Sequence, residues 1–439
     1  MESFPPGYDL GPATWFYLSL VLIIAVFFRF NRFWSLRNFD LGLLLAAPVG
    51  LLLVQVPGRA GIGFSWLFAV SGLFLVRLLA DPLLVRRPHL GQNLNAPGSA
   101  FLCVAAFALL TMEAINGETT AATEQTVQQA TNLVKGKEDI VQEEQHIAAG
   151  PVAPMLWAPI GAPFKAPEIA ARALSIIAHL LVILGLLLVG RNLFGDVQLG
   201  LAMATLYLLL PCTAYDVGEV NHVLPSALTV WALVAYRRPM VSGTLLGLAC
   251  GIMFFPVFLL PVWAAFYGRR GALRFGTALL LVAGVVLSIA ALTAPGPDSF
   301  VRRTIGTIHL EEMLAFEAPV GTLGFWSSEL RYYRIPVIVT FFVLLATLTF
   351  WPRRKSLEHL TASSAAIVVA TQFWYPDQGG VYLLWYLPLL LVVVFRPRLV
   401  HLVPHSSPEE GEQTARAPAI SGPHTQRSQA YAERTHLFR

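Results

Sequence analysis

The sequence predicts an all-α polytopic membrane protein with about 12–13 transmembrane helices. Three observations carry this. The 439 residues are 56% hydrophobic and only 13% charged, whereas soluble domains carry about 25% charged residues. Apolar runs near the roughly 20 residues that cross a bilayer as a helix recur along most of the chain. Most of these runs have no polar face, which a soluble helix needs. The strict alternation of a membrane β-barrel strand is also missing.

Spans are expected near 13–30, 39–56, 64–80, 98–115, 168–190, 197–215 and 222–236, then 273–294, 335–351, 357–373 and 380–396. The first has an acidic, proline-containing leader without a basic region, so it reads as a retained span. The formal charge of +4 reflects basic residues beside apolar runs and gives no sign of a nucleic-acid partner. Cys103, Cys212 and Cys250 lie in or near apolar segments. An odd, scattered set fits buried thiols, not a disulfide framework or a zinc site.

Basic residues set the orientation. Arg29, Arg32 and Arg37 follow the first span, Arg77, Arg86 and Arg87 the third, Arg191 the fifth, and Arg237 and Arg238 the seventh. All fall on one side if the N-terminus is outside and the C-terminus cytoplasmic. Arg269, Arg270 and Arg274 then belong to the same side, so the run 241–267 must leave it and return. Split at Pro256, each arm of that run rises only about 20 Å, short of a roughly 30 Å core. A broken hairpin is therefore expected, with one long kinked span as the alternative. Arg353, Arg354 and Lys355 come out cytoplasmic only with the hairpin.

On this topology 113–166, 213–222 and 295–334 face outside. The stretch "TAYDVGEVNH" (213–222) gathers Asp216, Glu219, Asn221 and His222 between two apolar runs. Asp216 followed by Glu219 fits an acidic helix N-terminus. One cap does not require Asn221 and His222 as well, and polar groups at a membrane edge are costly and often functional. Arg302, Arg303, Arg331 and Arg334 break the positive-inside pattern. They fit either a phosphate clamp or interfacial snorkelling. His179 fits an interhelical hydrogen bond. Gln372, Trp374, Tyr375, Asp377 and Gln378 crowd another outer turn, where aromatic residues often mark an interface belt. No phosphate loop, dinucleotide fingerprint, nucleophile elbow or metal-ligand spacing occurs.

Three stretches resemble a family. "APEIAARALSIIAHLLVILGLLLVGRNLFGD" (166–196), "GEVNHVLPSALTVWALVAYRRPMVSGTLLGLACGIMFFPVFLLPVWAAF" (218–266) and "FWYPDQGGVYLLWYLPLLL" (373–391) are similar to core segments of GT-C superfamily glycosyltransferases, family 87 above all. Gly218, Glu219 and Asn221 match that family's "GQxN" opening, with Glu for Gln; Met253 stands where the family carries a lysine. The resemblance covers roughly 98–398, leaving a three-span segment over 1–97 and a polar tail over 399–439 expected to be disordered and cytoplasmic.

What the resemblance implies is a GT-C-like core with a large extracytoplasmic first loop. The activity implied is transfer of a mannose-like sugar from a polyprenyl phosphate to an acceptor at the outer face of the inner (plasma) membrane. Glu113, at the outer end of the fourth span, would be the general base, with Glu124 as second choice. Asp216, Glu219, Asn221 and His222 would contact sugar or acceptor, and Arg302, Arg303 and Arg331 the leaving phosphate. The partners are membrane lipid and the lipid-linked sugar; no cofactor or metal is indicated. The alternatives are a transporter or flippase of a lipid-linked or anionic substrate, or a catalytically inactive relative.

Overall fold

In hydrocarbon an apolar run takes up the helix, because every backbone N–H and C=O is then satisfied inside the segment. The computed structural model describes residues 12–84, 92–117, 120–136, 150–161, 166–297, 300, 323–327, 329–353 and 355–404. Among them there are helices and no strand. In chain order the α-helices are α1 (Pro12–Phe27), α2 (Leu36–Gln55), α3 (Ala60–Ala80), α4 (Ala96–Asn116), α5 (Ala121–Lys135), α6 (Val152–Gly161), α7 (Pro167–Val189) and α8 (Val197–Leu209). They continue with α9 (Pro211–Tyr215), α10 (Val220–Val234), α11 (Pro239–Ile252), α12 (Leu260–Thr293), α13 (Arg334–Phe350), α14 (Leu357–Trp374) and α15 (Leu387–Phe395).

Five helical stretches among the described residues are long and apolar enough to cross a membrane: Leu36–Gln55, Ala60–Leu83, Ala96–Asn116, Glu168–Phe194 and Phe255–Thr293. Five shorter apolar helices accompany them: Thr14–Phe27, Val197–Leu209, Val220–Val234, Pro239–Ile252 and Arg334–Phe350. The described part of the chain is thus all-helical and carries membrane-compatible spans.

Local chemistry sets the boundaries. Ser35 opens α2 by accepting from the Asn38 N–H at 3.2 Å. Asn95 opens α4 by accepting from Gly98 at 2.9 Å, with Pro97 in the first turn. Asp196 opens α8 by accepting from Gln198 at 2.8 Å. Pro211 holds Leu210 extended, since the residue before a proline is pushed out of helical space. The span expected over 197–215 is therefore split into α8 and the short α9.

The run 241–267 is not a continuous helix. α11 stops at Ile252, and Met253 is extended, with φ −144° and ψ 154°. A 3₁₀ turn over Phe255–Leu259 carries Pro256, and α12 starts at Leu260. α12 then breaks at Gly268, whose φ of 64° and ψ of −179° suit glycine. By that point the chain has returned, because Phe266 packs 6.4 Å from Tyr236, just before α11. Beyond Gly268, α12 runs alongside α11 in the same direction: Gly243 meets Phe275 and Ala278, and Gly247 meets Leu279 and Val282. Two short arms around Pro256 are what the proline and the basic flanks predict.

Several basic residues expected as simple cytoplasmic markers are built into the fold. Arg37 is buried and donates twice to the Phe27 carbonyl, at 3.0 and 2.6 Å, closing the C-terminus of α1. The Asn38 amide donates to the carbonyls of Arg29, Arg32 and Phe33 in the same turn. Arg77 is buried with Asp40 and Asp81, and Arg396 with Asp81 and Glu358. This buried ionic chain joins α2, α3, α14 and the end of α15. Arg86, Arg87, Arg354 and the tail beyond residue 404 lie outside the described residues.

Candidate functional site

The segment 215–222 is the hub. Two consecutive carbonyls in it are held from different helices. Val217 O accepts from Ser175 Oγ and from His179 Nε2, the latter at 3.2 Å, both on α7. Gly218 O accepts from Thr123 Oγ1 of α5 at 2.7 Å and from Thr120 Oγ1 at 3.4 Å. A carbonyl can only accept, so His179 carries its proton on Nε2. Its Nδ1 then accepts from the Tyr207 hydroxyl at 2.8 Å. His179 is thus an interhelical hydrogen-bonding residue, as its apolar setting suggests.

Asn221 donates through Nδ2 to Thr126 Oγ1 at 3.0 Å, a second tie between α10 and α5. Its buried Oδ1 has no hydrogen-bond partner in the fold. His222, on the next position of α10, is buried and meets Tyr382 edge-on at 5.1 Å and Trp385 at 5.8 Å.

Asp216 and Glu219 do not form the helix cap that their spacing suggests. Asp216 terminates α9, and its backbone carbonyl accepts from the Glu219 N–H at 3.0 Å. Glu219 is the residue before α10 and makes no side-chain cap bond. Both carboxylates are half-buried and close to each other. Burial, reinforced by Glu219, holds the Asp216 carboxyl well above the usual carboxylate range.

Facing this loop is the turn after α14. Tyr382 lies in the electrostatic reach of Tyr375, Asp377, Asp216 and Glu219. Its ring stacks on Trp385 at 4.4 Å, and Tyr375 meets it at 5.6 Å. Trp385 also stacks on Phe255 at 4.8 Å, and Tyr375 on Phe254 at 5.1 Å, so the hairpin turn closes the aromatic block from below. Gln372 accepts from Gly380 N at 3.0 Å and donates to Tyr382 O at 3.2 Å. Asp377 accepts from Leu323 N at 3.0 Å. Gln372, Trp374, Tyr375 and Asp377 are all buried. They form an internal floor and not the interface belt their composition suggests. Met253 is buried in the core at the hairpin turn.

The remaining expected residues divide. Glu113 sits exposed on the last turn of α4 and lines a cavity of about 170 Å³ with Trp15, Leu51, Gln55, Pro211, Ala214 and Tyr215 among its walls. Tyr215 joins this cavity to the 215–222 hub. Glu124 is half-buried on the first turn of α5, next to Thr123 and two positions before Thr126. Neither Glu219 nor Asp216 lines the Glu113 cavity. Arg331 belongs to a 3₁₀ segment, Glu329–Tyr333, that leads into α13. Arg334 is buried and donates to the Trp374 carbonyl at 2.7 Å, bracing the turn after α14. Arg302 and Arg303 lie outside the described residues. Among the described residues, no group of three or more His, Cys, Asp or Glu gathers as metal ligands.

Sequence reasoning missed Tyr382 and Trp385 as neighbours of His222, because only folding brings positions 160 apart together. It also missed the cavity, whose walls come from α1, α2, α4 and α9. The chain matches no protein-family model, and the searches against curated proteins and solved structures return no match.

Proposed function

We propose that the protein is an integral membrane glycosyltransferase of the GT-C type. It would move a mannose-like sugar from a polyprenyl-phosphate donor to an acceptor at the outer membrane face. The observation that supports this most is the meeting of three distant segments at one end of the helices. α5, the 215–222 loop and the turn after α14 bring Asp216, Glu219, Asp377, Asn221 and Tyr382 into one neighbourhood. Carboxylates and amides of this kind accept and donate to sugar hydroxyls, and the stacked rings beneath them keep the loop rigid. Glu113 lines a cavity that Tyr215, at the start of the hub, also lines. In this reading it takes the proton from the acceptor hydroxyl as that oxygen attacks the anomeric carbon. The phosphate leaves with the electron pair of the broken C–O bond.

The carrier reading rests on the broken helix. Transporters place unwound backbone and polar groups around a midplane site. Here the break at 253–259 is packed by Phe254, Phe255 and Phe258 against Trp374 and Trp385. That apolar filling favours the enzyme.

The test is transfer of labelled sugar from polyprenyl-phosphate donors by the full chain in lipid nanodiscs. Glu113→Gln is expected to lower turnover by about 10²–10⁴-fold, the contribution of a positioned base. Glu219→Gln should keep most of it. Wild-type-like transfer by Glu113→Gln would move the base to Glu124. Absence of donor binding by the wild-type protein would refute the enzyme.

A further inference from the structure

Asp216 and Glu219 depart from how this fold treats its other acids. The carboxylates buried among the described residues each have a donor: Asp40 and Asp81 take Arg77, Glu358 takes Arg396, and Asp377 takes the Leu323 N–H at 3.0 Å. Asp216 and Glu219 are half-buried and close to each other, yet among the described residues neither carboxylate has a hydrogen bond or an ion pair. Like charges at short range repel, and burial raises the cost. The backbone cannot relieve this by moving away. Val217 and Gly218, which lie between the two acids, are held through their carbonyls from α7 and α5.

Two further groups face the pair. Tyr382, 4% exposed, lies within electrostatic reach of both carboxylates, and His222, 8% exposed, within reach of Glu219. Neither side chain makes a hydrogen bond, and neither has its polar atoms sealed from solvent. Their rings meet edge-on at 5.1 Å, so α10 and the turn after α14 bring them to one place. Polar side chains this deeply buried ordinarily have partners. No lysine or arginine of the described residues is among the charges that act on Asp216, His222 or Tyr382.

Chemistry narrows the ligand. Hydroxyls satisfy the oxygens one by one but leave two like charges side by side, and a phosphate or carboxylate adds a third. A divalent metal needs a larger ligand set, and no group of three or more His, Cys, Asp or Glu gathers among the described residues. A guanidinium takes both oxygens of one carboxylate, as Arg77 does on Asp40. Here the acceptors come from separate residues. A primary ammonium is a compact charge with three donors. Two answer the carboxylates and the third a phenol oxygen or an imidazole nitrogen.

We propose that the hub binds a primary ammonium group between Asp216 and Glu219, with Tyr382 and His222 as its remaining acceptors. The proposal rests on the glycosyltransferase reading only for its consequence, that the acceptor carries this amine, on a sugar or on an aminoalkyl head.

The experiment is photolabelling of the full chain in phosphatidylcholine nanodiscs with two diazirine-bearing amines. One is an alkyl 2-amino-2-deoxyglucoside and the other an aminoalkyl chain, each beside the analogue with a hydroxyl in place of the amine. Saturable labelling of peptides from 215–222 or 375–386 is expected from at least one amine. It should exceed that of the hydroxyl analogue about tenfold, the equivalent of one hydrogen bond between charged groups. The amine that labels identifies the carrier as sugar or aminoalkyl head. Asp216→Asn and Glu219→Gln should each weaken the amine about tenfold, and Asp216→Glu should restore part of it. Thermal midpoints show that the variants have folded. Turnover of Glu219→Gln at saturating acceptor stays near wild type, so its loss is one of binding. Equal labelling by amine and hydroxyl analogue would overturn the proposal, as would no labelling by either amine. Amine labelling that survives in the Asp216→Asn, Glu219→Gln double variant would also overturn it. So would displacement by Mn²⁺ at micromolar concentration, which would make this a metal site. Binding of the polyprenyl-phosphate donor is measured on the same samples. Amine labelling without donor binding refutes the enzyme and leaves this site standing. Sugar transfer without amine labelling does the reverse.

Discussion

Arg77 forks onto Asp40. Its Nε and Nη2 donate to the two carboxylate oxygens at 2.6 and 2.9 Å, and both side chains are buried. The third nitrogen reaches Asp81 at 3.0 Å. Asp81 in turn takes Arg396, which pairs with Glu358 at 2.7 Å. The chain's last described helix is thereby locked to α3, 315 residues upstream.

Arg77→Met leaves Asp40 buried without its fork, so a loss of about 3–5 kcal/mol is expected, the cost of breaking a buried pair from one side. Arg77→Lys should recover only part, since an ammonium cannot reproduce the planar, two-point contact. Thermal unfolding in detergent measures both. A midpoint unchanged in Arg77→Met would show the network to be energetically silent.

Asn221 and Thr126 tie α10 to α5 across 95 positions. In a double-mutant cycle, Asn221→Leu and Thr126→Val should couple by about 0.5–1.5 kcal/mol, the net worth of one hydrogen bond. Hydrogen exchange should report faster opening of α5 in either single variant. If exchange in α5 stays at the wild-type rate, the helix is held by something other than this bond.

Asp216 gives a pH signature. Its carboxyl is held above its ordinary value by burial first and Glu219 second. The protonated form is therefore the one the fold favours. The stability it contributes is fully present below the ordinary carboxylate range, near pH 3.9. It is lost as the pH rises through the raised value in the fold. Asp216→Asn mimics the protonated form, so its thermal midpoint should match the wild type in acid and exceed it increasingly toward alkaline pH. A difference that does not change with pH would contradict the assignment.

Gly150 and Gly251 are contact points between the start of α6 and the end of α11. A Cβ on Gly150 would run into the Gly251 carbonyl, and one on Gly251 into the Val152 side chain. The Gly150 N–H also donates to Ile252 O at 2.8 Å. Gly150→Ala meets rigid backbone and should cost about 1–3 kcal/mol. Gly251→Ala meets a side chain that can shift and should cost less. Circular dichroism melts of the two variants decide the order; a reversed order would show that α6 moves more easily than Val152 turns.

The amino-acid sequence by itself determined the helices and most of their ends. Apolar runs, Ser35, Asn95 and Asp196 as caps, and Pro211 and Pro256 as breakers act within a few residues, so their effect is legible without a fold. It also marked 213–222 as a place where polar groups exceed what one helix end needs. Only the tertiary structure decided what those groups face. The partner of Asn221 is on α5, the rings around His222 follow α14, and Asp216 ends one helix instead of starting another. Arg37, Arg77 and Arg334 read as membrane-side charges in sequence, yet each is buried on a partner that folding supplies. The reason is physical. Helix propensity and capping depend on neighbours along the chain, whereas burial and pairing depend on which helix faces are brought together. In a chain whose helices are apolar all round, the hydrophobic pattern does not mark those faces.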